Sequence, residues 1–467
     1  MKEFSITTLA QIIKAKPAEI AGFLTGVSID SRAIKAGDCF FAVAGENFDG
    51  YDYVADAFAK GAVCAVVADE TRGDLAGCKV LRVKDTIVAL GDFARQYRRQ
   101  MGFKVVAITG STGKTTTRQI AYHVLSRHFR VFQAPKNFNN NIGLPLTLLI
   151  AGEEDQIVIA ELGSNRPGEI SYLTDITQPD IAVVTNVHPA HLEGLGDLQT
   201  ITREKLSISE GLREDGVFFI NADCEQLVES CRAAGTKFTT FGKTEDSDIR
   251  ACNITCTGVS TSFMIEGTEV FLPLPGLGNV ENALAAWAIC SQFGVTGEDF
   301  ADAVRTLPAV HMRAELLQIG TLTVVNDCYN ANPVSMKNAL DILINLGSAN
   351  NRRLVFICGD MAELGRQREQ LHAELGSFIS RAKVGLLLAV GSLAKIAADA
   401  AKRTAEYDLQ IKCFEDVRSV CNNLEEFVKD SDIVLVKGSR SVALESAVEK
   451  LKEIFGSSEL RHPLGEV

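Results

Sequence analysis

The sequence predicts an α/β protein of three regions: a small mixed α/β N-terminal region, a central region with a mostly parallel sheet, and a second doubly wound region at the C-terminal end. Three observations carry that expectation. The chain of 467 residues is longer than one hydrophobic core fills. Short apolar runs alternate with helical patterns over most of its length. A glycine-rich turn separates one of those apolar runs from the helix that follows it.

The first hundred or so residues mix short strands, Cys39–Val43, Cys64–Ala68 and Lys79–Val83, with a helix over Tyr53–Lys60. They end in a longer helix, Thr86–Gln100, whose basic tail QYRRQ reads as solvated, and a break at Met101-Gly102-Phe103. From Lys104 the pattern changes to strands at Val105–Thr109, Ile157–Glu161, Ile181–Val187 and Val217–Asn221. Near-continuous apolar runs separated by helices are what a parallel sheet covered on both faces demands. A helix over Val280–Phe293 closes this region. Past Met312 the alternation restarts, with strands at Leu322–Asn326, Arg353–Cys358, Gly385–Val390, Ile411–Phe414 and Ile433–Lys437. Helices such as Ser335–Leu346 and Ser441–Phe455 lie between or after them, which gives the second doubly wound unit. The tail Glu459–Val467 is expected to fray.

Composition narrows the function. The chain is 46% hydrophobic and 23% charged, as soluble globular proteins are. A net charge of −12 argues against a general nucleic-acid or membrane-surface binder, since phosphate backbones reward clustered Lys and Arg. The twelve cysteines are scattered and lack zinc-site spacing, so free thiols in a reducing cytoplasm are expected. No stretch reaches the roughly 18 apolar residues of a membrane span, and the N-terminus lacks a signal-peptide core.

The turn Gly110-Ser111-Thr112-Gly113-Lys114-Thr115-Thr116 lies between the strand Val105–Thr109 and a helical pattern over Thr115–His128. Glycines at both ends let the backbone turn tightly and aim its N–H groups inward, and the helix N-terminus adds partial positive charge. Lys114 is placed to reach the β/γ-phosphates and the Thr115 hydroxyl to ligate Mg²⁺. The expected ligand is a nucleoside triphosphate, ATP. Glu161 ends a parallel strand, where a carboxylate points into the ligand crevice and holds Mg²⁺. Of the two histidines in His188-Pro189-Ala190-His191, His191 sits deeper in the loop; a hydrogen-bonding role and a ligand role are both open. Lys205 falls in the apolar stripe Leu198, Ile201, Ile208, Leu212 of an expected helix Leu198–Leu212. A lysine there snorkels, pairs or loses its charge, and a desolvated amine is open to conversion into a carbamate with CO₂.

Four stretches extend the reading: Asp30-Ser31-Arg32 with Gly37-Asp38 and Phe48-Asp49-Gly50; Asn137-Phe138-Asn139-Asn140-Asn141-Ile142-Gly143-Leu144-Pro145; Tyr329-Asn330-Ala331-Asn332-Pro333-Val334-Ser335-Met336; and Gly359-Asp360-Met361-Ala362-Glu363-Leu364-Gly365. With the phosphate loop, they resemble the Mur ligases, ATP-dependent amide-forming enzymes of peptidoglycan synthesis, over the whole chain. The resemblance implies a domain binding uridine diphosphate over 1–101, with Ser31 and Arg32 as contacts. It also implies a P-loop ATPase domain over 102–312 and a mobile Rossmann-like domain over 313–467 that receives the incoming amino compound. It implies Lys114, His191 and Lys205 as catalytic, with Lys205 carbamylated, and Thr115, Glu161, His191 and Lys205 around Mg²⁺. Asn282 is implied as an adenine contact, and Arg313 and Asp327 as closing over the phosphates and ribose. Asn137, Asn139, Asn140, Tyr329, Asn330 and Asn332 are implied as substrate contacts. The implied substrates are UDP-N-acetylmuramoyl-tripeptide and D-alanyl-D-alanine, handled by a cytoplasmic monomer. A folate-elongating relative shares the loop, but the Asp30-Ser31-Arg32 and Tyr329-Asn330-Ala331-Asn332-Pro333 segments argue against it. A non-catalytic nucleotide-dependent module would show degraded substrate-side residues, and this chain does not.

Overall fold

Three large sheets and one two-stranded sheet divide the described residues, the large ones as the alternation of apolar runs requires. The computed structural model describes residues 1–16, 20–45, 48–69, 78–135, 137–350 and 352–456. The tail Glu459–Val467 lies outside the described residues.

In the first sheet, Gly26–Ser28, Asp38–Phe41, Cys64–Ala68 and Val80–Val83 pair in that order, all parallel. Phe4–Ser5 and Phe23–Leu24 form a small antiparallel pair beside it. The helix Thr86–Gln100 has the predicted bounds, because Asp85 caps it by accepting from the N–H groups of Ile87 and Val88. Its tail is exposed as expected only at Arg99 and Gln100. Tyr97 and Arg98 are 1% and 2% exposed. Arg98 donates to the carbonyls of Thr177 (2.9 Å), Phe103 (3.1 Å) and Gln178 (3.2 Å) and to the Asp180 carboxylate (2.8 Å). The guanidinium therefore fastens the N-terminal helix to the central region, with its charge and donors satisfied in a buried seat.

The central sheet has nine strands. From one edge they run Val131–Gln133, Ile157–Glu161, Lys104–Thr109, Ile181–Val184, Val217–Asn221, Thr239–Gly242 and Ile249–Cys256, all parallel, then Thr261–Ile265 and Thr268–Leu272, antiparallel. The chain leaves Lys104–Thr109 toward one side and later returns to its other side. That strand is the topological switch point, where open α/β sheets form a ligand crevice at their carboxyl ends. The strand expected over Ile181–Val187 stops at Val184, because Thr185 and Asn186 turn away to hold the phosphate loop. The helix expected over Leu198–Leu212 ends at Leu206 and tightens into a 3₁₀ turn over Ser207–Gly211. The closing helix spans Leu277–Ser291 rather than Val280–Phe293.

The third sheet has the order Glu315–Ile319, Leu322–Asn326, Ile433–Lys437, Leu354–Gly359, Leu386–Val390 and Gln410–Phe414. All pairs are parallel except the first. The helix Pro333–Asn350 begins at a proline, with Asn332 before it accepting from the Ser335 N–H at 2.9 Å. The fold is α/β with three domains, the middle one built on a mostly parallel sheet.

Candidate active site

The phosphate loop occupies the end of the switch-point strand, and its two glycines have distinct jobs. Gly110 has φ +144°, and a Cβ there would lie 2.0 Å from the Thr185 hydroxyl. Gly113 has φ +84°, and a Cβ would lie 2.1 Å from Asn282 Oδ1. Only glycine fits either place. The neighbouring strand end straps the loop. Thr185 donates to the Thr112 carbonyl at 2.6 Å, Asn186 Oδ1 accepts from the Thr112 N–H at 2.9 Å and its hydroxyl at 3.1 Å, and Ser111 donates to the His188 carbonyl at 2.9 Å. The helix starts at Lys114, one residue before the expected position, directly behind Gly113.

Lys114 Nζ donates to the Gly110 carbonyl at 2.6 Å, folded back over the loop. Burial lowers its pKa to about 8; Glu161 opposes that shift and Arg313 adds to it. The Thr115 hydroxyl donates to Glu161 Oε2 at 3.2 Å, and Arg313, from the start of the third domain, reaches the same hydroxyl at 3.4 Å. Arg313 also lies over the Tyr329 ring, 4.0 Å from its centroid. The backbone is left-handed on both sides of Arg313, at Met312 (φ +57°) and Ala314 (φ +48°), where the chain passes into the third domain. Thr116 is buried under the loop, 7% exposed.

Glu161 is buried and pairs with Arg118, Nε to Oε1 2.8 Å. Arg118, 3% exposed, was missed by sequence reasoning because a basic residue one helical turn past the loop reads as a solvated face. Thr185 and Asn186 were missed too; their role is a contact across the sheet that no local pattern announces. Asn282 lies beneath Gly113 and bonds Asn279 Oδ1 at 3.0 Å.

Lys205 does not snorkel. It is 1% exposed, and its ammonium nitrogen donates to Ser164 Oγ at 2.8 Å. Burial first, and the charge of Lys114 second, lower its pKa to about 7. Its neighbour Glu204 is turned away, capping the helix Glu169–Thr177 through the N–H groups of Gly168 (2.7 Å) and Ile170 (2.8 Å). His191 pairs with Glu363 of the third domain, Nδ1 to Oε2 2.5 Å, and not with Lys205. That hydrogen bond holds the Glu363 carboxyl below its ordinary range. Burial pushes His188 down to about 4, with the charge of Lys243 adding to the shift. Among the described residues no group of three His, Cys, Asp or Glu side chains is disposed to hold a metal ion. The oxygens of Thr115 and Glu161 beside the loop nevertheless suit Mg²⁺, which takes hard oxygen ligands together with phosphates.

In the third domain Asp327 accepts from the Ala314 N–H at 3.1 Å and from Lys437 Nζ at 2.7 Å. Lys437 is 2% exposed and also donates to the Asn330 carbonyl at 2.9 Å. Asp327 therefore ties the backbone at Ala314 to Lys437 of the third sheet. The Asn332 side-chain oxygen is committed to its helix cap and the Asn330 side chain to the Ala331 N–H. Asn140 Oδ1 is likewise taken up by the N–H groups of Ile142 and Gly143, and the Asn139 carbonyl accepts from Gly163. Asn140 and Gly163 border a cavity of about 320 Å³ with Pro167, Gly168 and Glu169. Asn137 lies just before this loop. Ser31 is buried in the N-terminal domain, while Arg32 is exposed and forks onto Asp30 at 2.9 and 2.8 Å.

A glycine-lysine loop at the switch point, a buried carboxylate beside it and an arginine entering from a third domain define a multidomain P-loop enzyme. Comparison with known proteins sharpens that. Residues 24–98 match the Mur ligase family catalytic domain, 108–290 the Mur ligase middle domain and 312–440 the Mur ligase glutamate ligase domain. The UDP-N-acetylmuramoyl-tripeptide–D-alanyl-D-alanine ligase of Bacillus subtilis (strain 168) is 35% identical over 456 residues, 96% of this chain and 98% of that one. A crystal structure of MurF from Acinetobacter baumannii superimposes with TM-score 0.88 at 30% identity, covering 97% of this chain and 99% of that one. MurF from Thermotoga maritima in complex with ADP gives 0.82 at 26% identity, over 93% and 98%. The chain belongs to the Mur ligase family.

Proposed function

We infer that this chain joins D-alanyl-D-alanine to UDP-N-acetylmuramoyl-tripeptide, converting ATP to ADP and phosphate and giving UDP-N-acetylmuramoyl-pentapeptide for peptidoglycan synthesis. The observation that carries this is the similarity, over nearly the whole chain, to ligases named for that reaction. The chain is an ATP-dependent ligase that uses Mg²⁺.

The chemistry fits the residues. A carboxylate resists attack by an amine until its oxygen is made a leaving group. The tripeptide carboxylate attacks the γ-phosphorus, ADP departs, and an acyl phosphate results. The amine of the dipeptide then attacks the acyl carbon, and the tetrahedral species expels phosphate as the nitrogen loses a proton. Lys114, Arg313 and the loop N–H groups hold the γ-phosphoryl group and spread its charge. Thr115 and Glu161 would hold Mg²⁺, with Lys205 as a carbamate and His191 as further ligands; the ion supplies charge neutralisation between the two anions. Asn282 supports the loop and the adenine, Asp327 sets the hinge beside the ribose, and closure of the third domain excludes water from the acyl phosphate. Ser31 and Arg32 bind the uridine diphosphate, and Asn137, Asn139, Asn140, Tyr329, Asn330 and Asn332 line the path of the peptide substrates. Residues 1–101, 102–312 and 313–467 form the nucleotide-sugar, ATP and amino-acceptor domains of a cytoplasmic monomer. No helix among the described residues is long and apolar enough to cross a membrane.

Phosphate release from ATP, with each substrate omitted in turn, tests the reading. Release is expected only when both the tripeptide nucleotide and D-alanyl-D-alanine are present. Release that ignores D-alanyl-D-alanine overturns the assignment.

A further inference from the structure

The Arg313 guanidinium reaches the phosphate loop from the third domain, and an aromatic face holds it there. Its Nη2 lies 3.4 Å from the Thr115 hydroxyl, and its Cζ lies 4.0 Å from the centroid of the Tyr329 ring. A guanidinium carries its N–H donors in one plane. Stacking on a ring fixes that plane and occupies none of them, whereas each hydrogen bond to protein removes one from a phosphate. Among the described residues, the contact with Thr115 is the one hydrogen bond of this side chain. The ring in turn belongs to a clamped segment. Lys437, 2% exposed, donates to the Asp327 carbonyl (3.3 Å) and carboxylate (2.7 Å) on one side of Tyr329 and to the Asn330 carbonyl (2.9 Å) on the other. The same segment grips both chain neighbours of Arg313. The Tyr329 N–H donates to the Met312 carbonyl at 3.4 Å, and Asp327 Oδ1 accepts from the Ala314 N–H at 3.1 Å. Met312 and Ala314 hold left-handed backbone, which non-glycine residues enter only where the surroundings fix them.

We propose that Tyr329 is a positioning residue for Arg313, its ring holding the guanidinium at the phosphate loop with the N–H edge free for the terminal phosphate of the nucleotide. That the nucleotide is ATP, cleaved at that phosphate, rests on the ligase reading above. A free arginine side chain loses rotamer freedom when it meets a phosphate, and one already stacked has little left to lose. The benefit therefore falls on the group that distinguishes ATP from ADP. It falls equally on the transition state, where charge spreads over the oxygens of the transferring phosphoryl group. A ring that served the peptide substrates alone would affect neither.

The test compares binding of ADP and of adenylyl imidodiphosphate, an ATP analogue not hydrolysed at its terminal phosphate, to the full chain by calorimetry. Tyr329→Leu is expected to weaken the analogue about 10-fold and ADP by less than about 2-fold. It is expected to lower kcat by about 10-fold as well, with KM for both peptide substrates little changed. Tyr329→Phe keeps the ring and is expected to recover most of both losses. Arg313→Lys, which keeps the charge without the planar group, is expected to show the same selective weakening of the analogue. In an Arg313→Ala background, Tyr329→Leu is expected to cause no further loss of analogue affinity, because it acts through that guanidinium. Equal weakening of the two nucleotides, losses that add in the double variant, or a raised KM for a peptide substrate at unchanged kcat overturns the proposal. The calorimetry needs no turnover, so a wild-type chain that failed the phosphate-release test would sink the ligase reading and leave this one to be judged separately.

Discussion

Lys205 shows how far a single side chain can be moved from its solution chemistry. A buried amine beside Lys114 releases its proton near pH 7 instead of at its ordinary value of 10.5. The unfolded chain keeps that proton to about pH 10.4, so between the two values the unfolded state binds more protons. Stability therefore rises with pH across that window, and the cost of the buried charge is fully present below about pH 7. In urea unfolding, wild type is expected to gain on Lys205→Met from pH 7 to pH 9.5; parallel stabilities would contradict the burial. The neutral amine is also the form that reacts with CO₂. Lys205→Ala is accordingly expected to lose activity on the order of 100-fold, as for a lost metal-site group, and to regain part of it with short carboxylic acids. Near-normal activity, or no response to the acids, would remove the carbamate from the mechanism. The misplaced lysine was legible from the spacing of Leu198, Ile201 and Ile208 alone. Its partner Ser164 was not, since that contact spans 41 residues.

At the level of elements, the phosphate loop depends on a neighbour's strand end as much as on its own glycines. Gly110→Ala brings a methyl group to 2.0 Å from the Thr185 hydroxyl in a conformation that only glycine adopts readily. ATP affinity measured by calorimetry is expected to fall at least ~100-fold, with a stability loss of about 1–3 kcal/mol and an unchanged circular dichroism spectrum. Retained affinity would mean that the strap is dispensable. The buried strands of all three sheets were readable because both of their faces are covered and the run is continuously apolar, as in Ile157–Glu161 and Ile433–Lys437. The edge of the central sheet was not. Ile249–Cys256 alternates buried Ile249 and Ala251 with exposed Arg250 and Cys252 and then shifts register at Asn253, so it lacks that signature. Thr268–Leu272 is the last edge strand and alternates similarly.

For the molecule as a whole, the N-terminal domain is held at a fixed place by the buried fork of Arg98. Arg98→Met removes a donor from the Thr177, Phe103 and Gln178 carbonyls, while Asp180, 14% exposed, keeps Lys104 at 2.9 Å and the Val105 N–H. A loss of about 1–3 kcal/mol is expected, the usual consequence of leaving a buried acceptor without its donor. Calorimetry should show the N-terminal domain melting ahead of the rest; a single transition at the wild-type temperature would refute the role. The third sheet has a different kind of consequence, one that belongs to biosynthesis. Its inner strand Ile433–Lys437 comes last in the chain yet sits between Leu322–Asn326 and Leu354–Gly359. A nascent chain on the ribosome thus carries two half-sheets with unpaired edges until residues 433–437 have been added. Termination between residues 414 and 433 leaves a sticky fragment, not a smaller enzyme.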